Sequence, residues 1–254
     1  MGAKSIKALD KTIIFVHLEK AAGTAFVSYL GNQLPSVDVI APGFEGGELA
    51  KFFGDLSKKL YFGHFSYADC ARFGANGHYI TILRSPLQRA FSQYSSWHNP
   101  KNLTPFWRGI LPKREIEAVE AVQRMSFRDF VMSDDIYVNG HIRNLMSKRL
   151  APDSSWSDSS LGTAFEVLEC KFHWFGVVEE FARSMELFRA SFTGCDSYQV
   201  PIKAANVSER YDDTLDGRAR QRLIDLNHYD LLLYDRAVEI FHKRYIAMRI
   251  ASWM

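Results

Sequence analysis

Residues 14–29, Ile-Phe-Val-His17-Leu-Glu19-Lys20-Ala21-Ala22-Gly23-Thr24-Ala25-Phe-Val-Ser-Tyr, carry the densest chemical signal in the chain. An apolar run leads into a short loop of small residues with one lysine, and the loop opens directly into a helical pattern. Such a turn aims several backbone N–H groups, a helix N-terminus and an ammonium at one spot, which suits an oxyanion such as phosphate or sulfate. The nucleotide-triphosphate version of this loop, G-x-x-x-x-G-K-[ST], places its lysine directly after the second glycine. Here Lys20 precedes Gly23, so the site is phosphate-like without being a Walker A loop.

A second group lies in residues 79–94, Tyr-Ile-Thr-Ile-Leu-Arg84-Ser-Pro86-Leu-Gln-Arg89-Ala-Phe-Ser92-Gln-Tyr94. Arg84 ends an apolar run, where open α/β sheets put their ligands. It can give a bidentate contact to a phosphate, and Ser92 in the following helix can add a hydroxyl. Taken alone, the pair reads better as an arginine paired with a structural carboxylate and a helix-surface serine. His64 follows Leu60-Tyr-Phe-Gly63 at the end of another apolar run, and Gly63 permits close approach of backbone and ligand. Histidine accepts a proton near neutral pH, which makes His64 the candidate general base, with a hydrogen-bonded structural histidine as the alternative. His17 is read as shaping the loop.

Together, His-x-x-Lys-x-x-Gly-Thr after one strand and Arg-x-Pro-x-x-Arg-x-x-Ser-x-Tyr after a later one resemble the sulfotransferases that use 3′-phosphoadenosine 5′-phosphosulfate (PAPS). The resemblance is to the carbohydrate and heparan-type branch, whose first loop reads approximately H-I-P-K-T-G-G-T-S. Shorter echoes follow in the family's order: Gly63-His64-Phe-Ser66, Arg143-Asn-Leu-Met, Phe175-Gly-Val-Val-Glu-Glu-Phe, Asn206-Val-Ser208 and Leu226-Asn-x-x-Asp230-x-x-Leu-Tyr234. The resemblance implies a three-layer P-loop-like α/β fold with a central, mostly parallel sheet flanked by helices. It implies that Lys20, Ala21, Ala22, Gly23, Thr24 and Ala25 hold the 5′-phosphosulfate, and that Arg84 and Ser92 hold the 3′-phosphate. Lys20 would also stabilise the bridging oxygen as the sulfate leaves. Asn206 and Ser208 would hold the nucleotide from a C-terminal loop, although N-capping explains Ser208 equally well. The adenosine 3′,5′-bisphosphate product (PAP) would remain, and no metal would be required.

The chain departs from that pattern at Glu19, Ala21, Ala22 and Ala25, where the family has proline, threonine, glycine and serine. A carboxylate beside a polyanion is unfavourable unless it points away or pairs with a cation.

The elements that must position these groups are legible from periodicity. Apolar runs at 12–17, 37–41, 59–63, 78–83 and 173–178 alternate with helical patterns, the signature of an α/β fold with a largely parallel sheet. Helices are expected at 25–34, 87–97, 113–133 with a break, 139–150 and 179–192. A last helix is expected to bury Tyr229, Leu232, Leu233, Ala237, Ile240, Phe241 and Tyr245 on one face. The stretch 99–112 holds three prolines and reads as a substrate-facing loop, and 152–160 as a linker-like turn.

The 254 residues form one expected sulfotransferase domain, and a net charge of +2 is too mild for a nucleic-acid binder. Cys70, Cys170 and Cys195 form neither a disulfide framework nor a zinc motif and read as reduced thiols, which points to the cytoplasm. No apolar run is long enough to span a membrane. The expected activity is therefore in-line transfer of a sulfuryl group from PAPS to a hydroxyl or amine of a small-molecule or glycan acceptor. The partners are expected to include neither nucleic acid nor membrane. The alternatives are a non-catalytic nucleotide- or partner-binding protein on the same fold and an ATP-dependent P-loop kinase. The kinase needs a magnesium carboxylate, and the later apolar runs end in His64 and Arg84 instead.

Overall fold

The computed structural model describes residues 12–31, 39–40, 58–151, 157–192 and 215–251. Asn206, Ser208 and Cys195 lie outside them. Strands β1 (Ile13–Val16), β2 (Val39–Ile40), β3 (Leu60–Gly63), β4 (His78–Leu83) and β5 (Phe172–Val177) pair in parallel in the order β2-β3-β1-β4-β5. All four residues of β1 are fully buried, and five of the six in β4 are buried. Parallel strands covered on both faces read as continuous apolar runs, which is why the sequence located them. The expected α/β class with a central parallel sheet and helices is the observed one.

Contacts divide the chain into two units. One comprises Met1–Arg84, Met146–Ala205 and Leu233–Met254; the other comprises Ser85–Leu145 and Asn206–Leu232. The first holds the sheet. Helix α1 (Gly23–Gly31) is anchored to it by Phe26, whose ring stacks on Trp174 with centroids 5.2 Å apart and meets Phe188 edge-on at 5.2 Å. Gly176 is required beside this cluster, because a Cβ there would stand 2.8 Å from the Trp174 ring and 3.0 Å from Ser184 Cβ. The buried Ser184 hydroxyl serves both backbone groups of Val177, accepting from its N–H at 2.8 Å and donating to its carbonyl at 3.0 Å. In the middle of the sheet the buried Thr81 hydroxyl donates to Val16 O at 2.8 Å. In the C-terminal helix His228–Ala251, Leu233, Ala237, Ile240 and Phe241 are buried as expected, whereas Leu232 is exposed.

The second unit is helical. Ala90, Trp97, Val119, Val122, Phe130 and Leu223 are among its buried core. Arg89 is fully buried, and its guanidinium donates to His141 O and Ile142 O, each at 3.1 Å, where the helix Ile136–Gly140 ends. Arg89 thus satisfies carbonyls that a helix terminus leaves over. Asn144 has φ 44°, and its Oδ1 accepts from the backbone N–H groups of Tyr229 and Asp230 at 3.0 and 3.2 Å, capping the start of the last helix.

Several boundaries differ from expectation. The 99–112 stretch is not an irregular loop: Pro100 and Pro105 open helical turns Pro100–Asn102 and Pro105–Ile110. Proline is tolerated at a first helical position, and the Asn99 and Thr104 side chains cap the two turns. The break expected within 113–133 is observed, between the helices Lys113–Val122 and Phe127–Met132, with Ser126 capping the second. The linker-like reading of 152–160 gives way at Asp158–Glu166, which is helical. The helix Gly217–Leu226, with three arginines interspersed among the few residues of a short apolar stripe, was not anticipated.

Candidate functional site in the sheet unit

β1 is the central strand, between β3 and β4; the chain goes from β1 out to β2 and β3 on one side, then crosses to β4 and β5 on the other, so the strand order reverses here. A crevice beyond the carboxyl ends of strands at such a reversal is the common ligand position in open α/β sheets. The residues that follow these three strands are His17, His64 and Arg84. Val16 lies level with Gly63 in the ladder, so His17 and His64 emerge side by side. His17 N–H donates to Gly63 O at 3.0 Å, and the two imidazoles stack with centroids 4.5 Å apart. His64 Nδ1 lies 3.0 Å from His17 O. A carbonyl only accepts, so Nδ1 carries the proton and the neutral ring keeps its lone pair on Nε2.

Between β1 and α1 the loop adopts left-handed backbone at two residues that are not glycine, Lys20 with φ 66° and Ala22 with φ 56°. Such conformations cost on the order of 1 kcal/mol each and persist where surrounding structure enforces them. Ala21 N–H closes a turn onto Leu18 O at 3.2 Å, and the Ala21 methyl is buried. The first bond of α1 runs from Phe26 N–H to Ala22 O at 3.2 Å. The amides of Gly23, Thr24 and Ala25 therefore have no acceptor within the helix, and the alanine ahead of them has no side-chain oxygen to offer. Thr24 is exposed at this helix mouth. Gly23 is dictated by packing: a Cβ there would stand 1.8 Å from His17 Nε2.

Glu19 is paired with a cation, as expected of a carboxylate in this loop. Its Oε1 accepts from Arg149 Nη2 and lies 3.7 Å from His64 Nδ1. Burial pushes the Glu19 carboxyl upward, but the Arg149 guanidinium and His64 outweigh it and hold it below the usual carboxylate range. His17 is pushed down to about 3, first by burial, then by His64, Lys20 and Arg149, with Glu19 opposing. It is thus neutral at physiological pH, in keeping with a shaping role. Arg149, in the helix Leu145–Leu150, was not among the expected site residues. It pairs with a residue 130 positions away, and its own neighbourhood in sequence, Lys148-Arg149, looks like an ordinary basic last turn.

Arg84 comes from the third strand end. Its Nη1 donates to Lys20 O at 3.1 Å, which brings the guanidinium onto the loop's backbone. Burial pulls its pKa down, and Glu179 opposes that. Glu179 itself accepts a 2.6 Å hydrogen bond from the Tyr234 hydroxyl.

Of the expected residues, the loop 20–25, His64 and Arg84 thus belong to one unit. Ser92 belongs to the other, in the helix Pro86–His98, and is mostly buried. Among the described residues no group of three or more His, Cys, Asp or Glu is placed to hold a metal ion. No described helix is long and apolar enough to cross a membrane.

No protein-family model matches the chain, and no curated protein matches it. Among solved structures, the chain is similar to a sulfotransferase from Alicyclobacillus acidocaldarius, with 14% sequence identity and a TM-score of 0.47, over 95% of this chain and 100% of that one.

Proposed function

We propose that the chain is a sulfotransferase that moves a sulfuryl group from PAPS to a hydroxyl or amine of a small-molecule or glycan acceptor. The observation that carries this reading is the bond from Arg84 Nη1 to Lys20 O, which joins a guanidinium to a loop already bearing a lysine and a helix mouth. Lys20, Arg84 and Arg149 outnumber Glu19 around this loop, so its charge suits a polyanion.

When bound, PAPS supplies an activated sulfuryl group on a phosphosulfate. Ala22, Gly23, Thr24 and Ala25 would hold that group through backbone amides at the helix mouth, with Lys20 countering the charge that develops on the leaving oxygen. Ala21 would contribute the loop's shape, since its N–H is engaged by Leu18 O. Arg84 and Ser92 would bind the 3′-phosphate, and Asn206 and Ser208 would complete the nucleotide site. His64 would act as base: with Nδ1–H on His17 O, the neutral ring carries its lone pair on Nε2, the atom that would take the acceptor's proton. The same reading carries a cytoplasmic, metal-independent enzyme.

Calorimetric titration with PAP, followed by transfer of labelled sulfate from PAPS across hydroxyl and amine acceptors in EDTA, tests it. Binding and transfer are expected. Absence of PAP binding removes the donor assignment. Tight binding with no sulfated product favours a non-catalytic nucleotide-binding protein, and activity only with ATP and magnesium favours a kinase.

A further inference from the structure

Glu19 places a carboxylate in the loop that this reading gives to an anionic donor, and the structure supplies a use for it. Its side chain is 16% exposed, Arg149 engages Oε1, and Oε2 is buried without a hydrogen-bond partner. A carboxylate so placed is costly unless its charge is employed. Besides Arg149, the carboxylate meets the His64 ring, with Nδ1 at 3.7 Å from Oε1. That distance is too long for a hydrogen bond and short for a charge interaction in a partly buried site.

Resting on the sulfotransferase reading, we propose that Glu19 is a positioning residue for His64: clamped by Arg149, it supplies the negative charge against which His64 takes up the acceptor's proton. In that step the acceptor oxygen or nitrogen forms its bond to sulfur, its proton passes to His64 Nε2, and the S–O bond to the nucleotide breaks with its electron pair.

The surrounding charges fix the sign. His64 faces His17 from the end of β1 and Glu19 from the loop, and Arg149 reaches the same carboxylate from the helix Leu145–Leu150. His17 is neutral, so Glu19 is the charged partner that the ring meets across this contact. Its placement also explains the division of work on the ring. His17 O holds Nδ1–H in the neutral state, and Glu19 acts only once the ring is charged.

The test uses the full chain as wild type, Glu19→Gln, Glu19→Asp and Arg149→Gln. His64 is titrated by NMR, kcat/KM is followed against pH, and PAP affinity is measured in parallel. For Glu19→Gln, the His64 titration midpoint and the acidic limb of kcat/KM are expected to move down together by about one pH unit. Turnover should fall about tenfold with no rise in the donor's KM. Glu19→Asp should recover part of the turnover. Arg149→Gln should move the midpoint and the limb the opposite way, because it leaves Glu19 to His64 alone. If Glu19→Gln does not fold, the double variant Glu19→Gln/Arg149→Gln decides the matter: a midpoint below that of Arg149→Gln supports the proposal, and one equal to it overturns it. A purely structural role lowers activity and leaves the limb in place, which overturns the proposal, as does a His64 midpoint that neither variant moves. If the wild type fails to bind PAP while the His64 midpoint responds to both variants, the sulfotransferase reading falls and the Glu19–His64 coupling stands. Binding and transfer with an unmoved midpoint remove the role of Glu19 alone.

Discussion

The His17 imidazole occupies the space that any side chain at Gly23 would need, with Nε2 only 1.8 Å from the position of a Cβ. The ring has little room to withdraw, because it is stacked between Phe15, 5.4 Å away, and His64, 4.5 Å away. Gly23→Ala is therefore expected to destabilise the protein by about 1–3 kcal/mol through overpacking. It should also weaken PAP binding by disturbing the helix mouth. Thermal unfolding and calorimetry measure both. Adding His17→Ala to Gly23→Ala should restore much of the lost stability; a double variant no more stable than Gly23→Ala would show that the contact is not the cause.

Acid sensitivity follows from the same ring. His17 in the folded chain protonates only at about 3, against an ordinary value of 6.5. As pH falls below 6.5 the unfolded chain takes up this proton and the native state does not, so stability declines down to about 3. Glu19, held below the usual carboxylate range, adds a loss of the same sign at the acidic end. Urea titrations at stepped pH should show this decline, and His17→Leu should flatten it between pH 6.5 and 5.

His64→Ala is expected to lower turnover by about 10²–10⁴-fold while PAP affinity stays near wild type. Lys20→Ala should reduce both turnover and affinity for PAPS. Steady-state kinetics beside PAP calorimetry separate the two, and a Lys20→Ala enzyme with wild-type values in both would remove the loop from the site.

Arg84→Lys should weaken PAP binding about tenfold or more, the scale of one lost charge-assisted hydrogen bond. The ammonium lacks the planar fork that lets a guanidinium reach the Lys20 carbonyl and a phosphate together. An affinity unchanged by this substitution would assign Arg84 to structure only.

Phe26→Ala should cost about 3–5 kcal/mol, since the ring joins α1 to Trp174 and Phe188 in the fully buried core. Chemical denaturation gives the value, and a loss under about 1 kcal/mol would mean that α1 is held by other contacts.

The sequence disclosed the sheet because β1, β3, β4 and β5 are short apolar runs with a chemically distinctive residue after each of the first three. Lys20, His64 and Arg84 could be singled out because strand ends are where such folds put ligands. Arg149 could not. Its partner Glu19 lies on a distant segment, and no local pattern distinguishes a guanidinium that reaches a loop from one that meets solvent. The helix Gly217–Leu226 escaped for a related reason: its buried residues, Ala219, Leu223 and Leu226, are few and spaced among arginines. The prolines at 100 and 105 misled in the opposite direction, because the same residue that breaks a helix interior also starts one. Other echoes of the sequence pattern have scaffold duties in the structure. Ser66 forms a reciprocal cap with Asp69, and Asn144 caps the last helix.

The link between Arg84 and residue 20 runs through a backbone carbonyl and not through the lysine side chain. Whatever amino acid stands at position 20, the carbonyl is still there to be grasped, provided the left-handed turn is kept. Frame and reactivity are thereby separable at this position. An engineer can exchange the ammonium for glutamine, histidine or arginine and ask what each does to the reaction, with asparagine or glycine as the residues that best suit the backbone. Few positions in a ligand loop allow the chemistry to be rewritten while the clasp that holds the loop stays fastened.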